Sequence, residues 1–221
     1  MLKNKRIPIL AGISVVLFAS LFFVLVVPGF TTQNQSVLGV CMDISTIRTI
    51  SMFNIQTPTN LPPKFTLHCG WADVFEAELL YANGTPEIPQ QSTRENLMTK
   101  IQNGAIHILI TDLKRKVGDA DFQKEIGNVD DQIIKEFESV KKVNPSLNAQ
   151  LVDINGKNAI AYEPCENCGK QTATFEDGSV INNSFGVPAR VIFYDDTGKS
   201  YFLESNRPLS ELIEVAKSLQ S

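Results

Sequence analysis

From Ile7 to Phe30 the chain carries no charged residue, and most positions are Ile, Leu, Val, Phe or Ala. A helix needs about 20 apolar residues to cross a hydrocarbon core of roughly 30 Å. The run is long enough, so a single transmembrane helix is expected over 7–30. Lys3, Lys5 and Arg6 precede it, and the next basic residue is Arg48. Basic flanks stay on the cytoplasmic side of a span. The asymmetry therefore predicts a cytoplasmic tail (1–6), an uncleaved signal-anchor in the cell membrane (7–30) and an extracytoplasmic remainder. A cleaved signal peptide is the rival reading, but no A-x-A pattern appears around Pro28, Gly29 and Phe30. Cys41 lies well beyond the apolar run with bulky Val40 before it, which argues against a lipoprotein anchor.

Removing Lys3, Lys5 and Arg6 leaves 17 basic against 24 acidic residues outside the anchor. A nucleic-acid binder needs a basic face, and this balance argues against one. After a polar tether (31–43, opening "TTQNQS"), residues 44–221 are enough for one domain with its own core.

Strand patterns dominate that domain. In "FEAELLYA" (75–82), Phe75, Ala77, Leu79 and Tyr81 share a face. In "AIHILITD" (105–112), Ile106, Ile108 and Ile110 share one face, and His107 and Thr111 the other. Two hairpins follow: 149–163 turning at Asn155-Gly156, and 189–205 turning at Asp195–Lys199. Three helices interrupt them. One runs from a Ser92/Glu95 capping box to Gly104. A longer one lies within 119–143 and ends at Asn144-Pro145. A third opens at Pro208 with the stripe Leu209, Leu212, Ile213, Ala216 and Leu219. The expected fold class is α+β, a mainly antiparallel sheet with helices packed on one face.

The segment "FNIQTPTNLPPKFTLHC" (53–69) and the closing "YFLESNRPLSELIEVAKSL" (201–219) bracket nearly the whole domain. The residues Phe53, Pro58, Leu61, Pro62, Phe65 and Leu67, then Tyr201, Leu203, Leu209, Glu211, Leu212, Ile213, Ala216, Ser218 and Leu219, carry a resemblance. The pattern is similar to that of an uncharacterised family of membrane-anchored exported domains. Some of its members resemble the half-barrels of lipoprotein carriers and envelope-stress sensors. Lys64 stands where that family usually has Gly, and 165–186 looks like an addition. The resemblance implies a sensor or binding module and carries over no catalytic residue.

Cys41, Cys69, Cys165 and Cys168 make an even count outside the membrane, where cysteines usually pair. Four allow three connectivities; Cys165–Cys168 and Cys41–Cys69 are the favoured disulfides. A redox CxxC works because a helix starts at the pair and stabilises its thiolate. Here "GKQTATF" follows, which favours extended chain. A zinc or copper site would draw on scattered Cys41, His68 and Cys69, short of a closed ligand set. His107, between isoleucines, reads as a solvated or hydrogen-bonded strand residue. "DTGKS" (196–200) lacks the first glycine of a phosphate loop, since position 193 is Phe193. Asp119, Asp121, Asp130 and Asp131 read as solvated helix residues, and Trp71 as a core residue. Asn34, Asn83 and Asn182 open N-x-S/T triplets and are candidate glycosylation acceptors.

The expected function is a membrane-tethered extracytoplasmic binding or sensing module without catalytic activity, metal or cofactor. Its partner would be another membrane or envelope protein, or an apolar or extended ligand. With only about six residues in the cytoplasm, any signal would pass through such a partner. The alternative is a thiol-redox or zinc/copper-binding protein using Cys165 and Cys168.

Overall fold

The computed structural model describes residues 37–84, 91–174 and 180–219. The expected anchor, its flanks and Asn34 lie outside these residues. Among the described residues, no helix is long and apolar enough to cross a membrane.

The strands are β1 (Val37–Val40), β2 (Phe65–Ala72), β3 (Glu76–Asn83), β4 (Gln91–Thr93), β5 (Ile106–Asp112), β6 (Gln150–Ile154), β7 (Lys157–Tyr162), β8 (Cys165–Thr174), β9 (Val180–Val187), β10 (Ala189–Tyr194) and β11 (Lys199–Ser205). Seven of them form one antiparallel sheet in the order β2-β3-β5-β11-β10-β7-β6. Two small antiparallel ribbons, β1-β4 and β8-β9, stand beside it. The helices are α1 (Ile44–Ile50), α2 (Arg94–Gln102), α3 (Leu113–Val117), α4 (Asp119–Glu125), α5 (Val129–Val143) and α6 (Leu209–Ser218). The protein is α+β with a mainly antiparallel sheet.

The helices occupy both faces of the sheet, a correction to the one-sided expectation. On one face Ile106, Ile108 and Ile110 of β5 join Val191 and Phe193 of β10 and Tyr201 and Leu203 of β11. Ile47 of α1 and Leu209, Leu212, Val215 and Ala216 of α6 cover them. On the other face Leu80 lies under Leu97 and Ile101 of α2. Ile160, Ile192 and Tyr194 lie under Phe122 of α4 and Ile133 of α5. The physical reason is that two amphipathic helix systems each need a sheet face. One sheet presents apolar residues at both alternations of its central strands, as in "ARVIFY", where every residue of β10 is buried.

The long helix expected over 119–143 is broken. Gly127 takes φ +58, and the N–H groups of Ile126 and Gly127 both return to the Phe122 carbonyl. Asn128 then caps α5 by accepting from the Asp130 N–H. The apolar stripe survives the break, because Phe122, Ile126, Val129, Ile133 and Phe137 pack in one cluster. The hairpin turn at Asn155-Gly156 has φ +53 and +85, the double positive φ that a two-residue turn needs. Lys64 takes φ +68. This is the left-handed region, which costs a residue with a side chain more than it costs glycine.

Candidate functional site

A row of polar side chains crosses the sheet on the face covered by α2 and α5. In antiparallel ladders, directly opposed residues share a face at about 5 Å. The register places His107 opposite Glu204, Glu204 opposite Arg190, and Arg190 opposite Tyr162. Glu78 joins from β3. The His107 Nδ1 lies 3.1 Å from Glu204 Oε1, and its Nε2 lies 3.1 Å from Glu78 Oε2. Arg190 Nε donates to Glu204 Oε2 at 3.1 Å, and Nη1 donates to the Tyr162 hydroxyl at 3.0 Å. His107 is 3% exposed, and Arg190 and Glu204 5% each.

Buried charge is tolerated only when paired, and this row pairs completely once His107 is protonated. Burial alone would lower the His107 pKa. Hydrogen bonds and charge from Glu204 and Glu78 outweigh it and raise the pKa to about 9. Burial alone would raise that of Glu204, but Arg190 and His107 hold it down at about 2. With both imidazole nitrogens committed to carboxylates, His107 cannot act as a base near neutrality. His68 is engaged as well, since Lys100 Nζ lies 2.8 Å from its Nε2. Both histidines of the chain are therefore held in polar contacts.

The four cysteines form two pairs at disulfide distance, Cys41 with Cys69 (Cα–Cα 5.1 Å) and Cys165 with Cys168 (Cα–Cα 5.8 Å). The second pair spans an irregularity of β8, where the register slips between Cys165 and Gly169. β8 runs on to Thr174, so the chain after the CxxC is strand and the thiolate-stabilising helix of a redox motif is missing there. Cys168 is 2% exposed and packs with Val140, Leu147, Tyr162 and Val187. Such burial shields the sulfur from an attacking thiolate and disfavours exchange. Among the described residues, no three His, Cys, Asp or Glu side chains converge as metal ligands. His68 and Cys69 sit at a bulge between Leu67 and Cys69, which locally interrupts the strand's alternation of faces.

Trp71 is core, 4% exposed beneath α2. Asp195 organises the "DTGK" turn, its Oδ1 accepting the N–H groups of Thr197 and Lys199. Asp119 and Asp121 stand in the first turn of α4, and Asp130 and Asp131 in that of α5, where the helix dipole favours them. Asn83 is exposed at the end of β3, and Asn182 lies within β9.

Among the concave features of the described residues is a cleft of about 400 Å³ between α2 and the base of the β8-β9 ribbon. Met98 and Ile101 form one wall, and Pro164, Val187 and Pro188 the other. Gln102, Asn206 and Glu166 supply its polar groups. The residues that carried the family resemblance lie elsewhere. Phe53, Leu61, Phe65 and Leu67 pack against the same core as Tyr201, Leu203, Leu209, Leu212 and Ala216. They close one core, and none of them lines this cleft. No family model, curated protein or solved structure matches the chain.

The polar row contains residues that the sequence reading passed over: Glu78, Arg190, Glu204 and Tyr162. A signal was present. A hairpin turning at 195–199 places 190 opposite 204, so an arginine and a glutamate face each other within apolar strands.

Proposed function

We propose that this chain is an extracytoplasmic binding module, tethered to the membrane by residues 7–30 and working without catalysis. The cleft between α2 and the β8-β9 ribbon carries the reading. Its walls are apolar, and the exposed amides of Gln102 and Asn206 stand at its rim, Asn206 Nδ2 donating to the Gln102 carbonyl at 3.2 Å and the amide oxygens facing ligand N–H groups as acceptors. An extended segment of another envelope protein fits that mixture of apolar wall and polar rim better than a wholly apolar ligand, which would leave the rim unused. Two further observations support it. The histidines are engaged in the contacts described above, and the cysteines lie in pairs at disulfide distance. The resemblance to membrane-anchored exported domains points the same way.

A photo-crosslinker placed at Met98 in native membranes tests the proposal. The expected result is one protein adduct, lost when Gln102→Trp, at an exposed position of the cleft wall, fills the cleft, and absent with the crosslinker at exposed Lys124. Adducts that survive Gln102→Trp would remove the cleft from the reading. Dithiol oxidation by the purified chain that disappears in Cys165→Ser would replace it with the thiol-redox alternative. A non-permeant protease added to intact cells tests the orientation, which is wrong if the domain stays whole while a known surface protein is cut.

A further inference from the structure

On the other side of α2 from the cleft lies a second pocket, of about 360 Å³, where the end of the helix meets β2 and β3. Phe65, His68, Lys100, Asn103, Gly104 and Arg207 line it, with Asn83 at its rim. Both charged side chains in that lining, Lys100 and Arg207, are cations, in a chain of formal charge −4. Each is held in place. Lys100 Nζ lies 2.8 Å from His68 Nε2. Arg207 spans one turn of α6 to Glu211, with Nε and Nη2 at 2.7 and 2.6 Å from Oε2, and its guanidinium stacks 5.1 Å from the Phe65 ring centre.

Glu211 offsets much of the Arg207 charge, but it does so on one edge of the guanidinium. The Nη1 group points the other way. It lies 4.0 Å from where a Cβ on Gly104 would stand. Gly104 takes φ +87 as the stop of α2, so the floor beside Nη1 is bare backbone. The backbone N–H groups of Asn103, Gly104 and Ala105 are spent on Thr99, Ile101 and Lys100 carbonyls. Recognition there falls to side chains: an ammonium, a guanidinium edge and two carboxamides beside an aromatic face. That set is the complement of a small oxyanion attached to an apolar group.

We propose that this pocket binds the carboxylate or phosphate head of a ligand whose apolar part meets the wall at Ala82 and the rim of Phe65. The site is independent of the cleft on the far side of α2 and stands or falls without it. A phosphate head has two sources, a lipid at the membrane surface or a soluble molecule, and the chemistry in the pocket is common to both. The carbonyl end of α2 opposes an anion, so binding depends on both cations.

The test uses the full chain in phosphatidylcholine nanodiscs, titrated with methyl phosphate and acetate, with chloride as the ionic-strength control. Saturable amide shifts at Asn103, Gly104 and Ala105 are expected. Lys100→Gln should weaken them about tenfold, the loss of one charge-assisted hydrogen bond, and Lys100→Arg should restore them. Nanodiscs containing phosphatidylglycerol identify the source. Shifts at the same amides that Lys100→Gln removes assign a lipid headgroup, and their absence there with methyl phosphate still binding assigns a soluble ligand. Shifts that rise linearly without saturating, or equal affinity in wild type and Lys100→Gln, overturn the proposal.

Discussion

Raising the pH from 6.5 to 9.5 should remove about 3 kcal/mol of stability, and His107 should account for it. The folded-state pKa of His107 is about 9, against 6.5 for a free histidine. A shift of one unit corresponds to about 1.4 kcal/mol. A raised pKa means that the folded state holds its proton more tightly. The contribution is therefore complete below pH 6.5 and lost as the pH passes through 9. The side chain is 4% exposed, so solvent screening takes little from it. Unfolding can be followed through Trp71, the single tryptophan, which is 4% exposed when folded. With a urea slope of roughly 2 kcal/mol per molar, the midpoint should fall by about 1.5 M across this range. In His107→Gln the fall should largely vanish, because the amide cannot titrate. Equal midpoints at the two pH values, or the same fall in wild type and His107→Gln, would refute the assignment of a proton to the buried row.

Acid should act through Glu204. Its pKa is lowered from 4.5 to about 2, so its contribution is present above pH 4.5 and lost as the pH falls through 2; Glu204→Gln should flatten the acid limb of the same urea experiment. Arg190→Met should cost about 3–5 kcal/mol, because Glu204 keeps a buried charge with one partner gone. The cysteine pairs should differ through loop length alone. Cys41→Ser with Cys69→Ser, separated by 28 residues, should cost about 3.5 kcal/mol in thermal unfolding, and Cys165→Ser with Cys168→Ser, separated by 3, about 2 kcal/mol. Lys64→Gly should stabilise by about 1 kcal/mol in urea titration, since it relieves a left-handed φ of +68 on a side-chained residue.

The strands and hairpins were legible because each local signal agreed with the final fold. "AIHILITD" put its three isoleucines in the core, and Asn155-Gly156 turned where positive φ was needed. Pro208 opened α6, and four of the five residues in its expected stripe are buried. The division of α4 from α5 was less visible, because the apolar spacing runs unbroken across Gly127 and only the backbone reveals the stop. The short α3 carries "LKRKV", a basic run with one buried residue, Leu113, and so little periodicity to read. The pocket beside Phe65 was illegible for a different reason. Its members come from β2, β3, α2 and the start of α6, 142 positions apart at the extremes from Phe65 to Arg207, and only tertiary packing brings them together.

The buried charge row follows from the coverage of the second sheet face. Had the helices lain on one face only, His107, Glu204 and Arg190 would alternate outward into water, and none would need a partner. With α2 and α5 laid over that face, the same alternation drives them inside. Each must then meet a complementary group at its own height on the neighbouring strand. The ladder supplies the heights, since sequential opposition across β5, β11, β10 and β7 sets histidine against glutamate, glutamate against arginine and arginine against tyrosine. A slip of one residue in any of these pairings would turn an apolar residue toward the partner and leave a buried charge alone, at a cost of several kcal/mol. The row therefore acts on register: it penalises every alternative alignment of the central strands, which their nearly uniform apolar composition would otherwise allow.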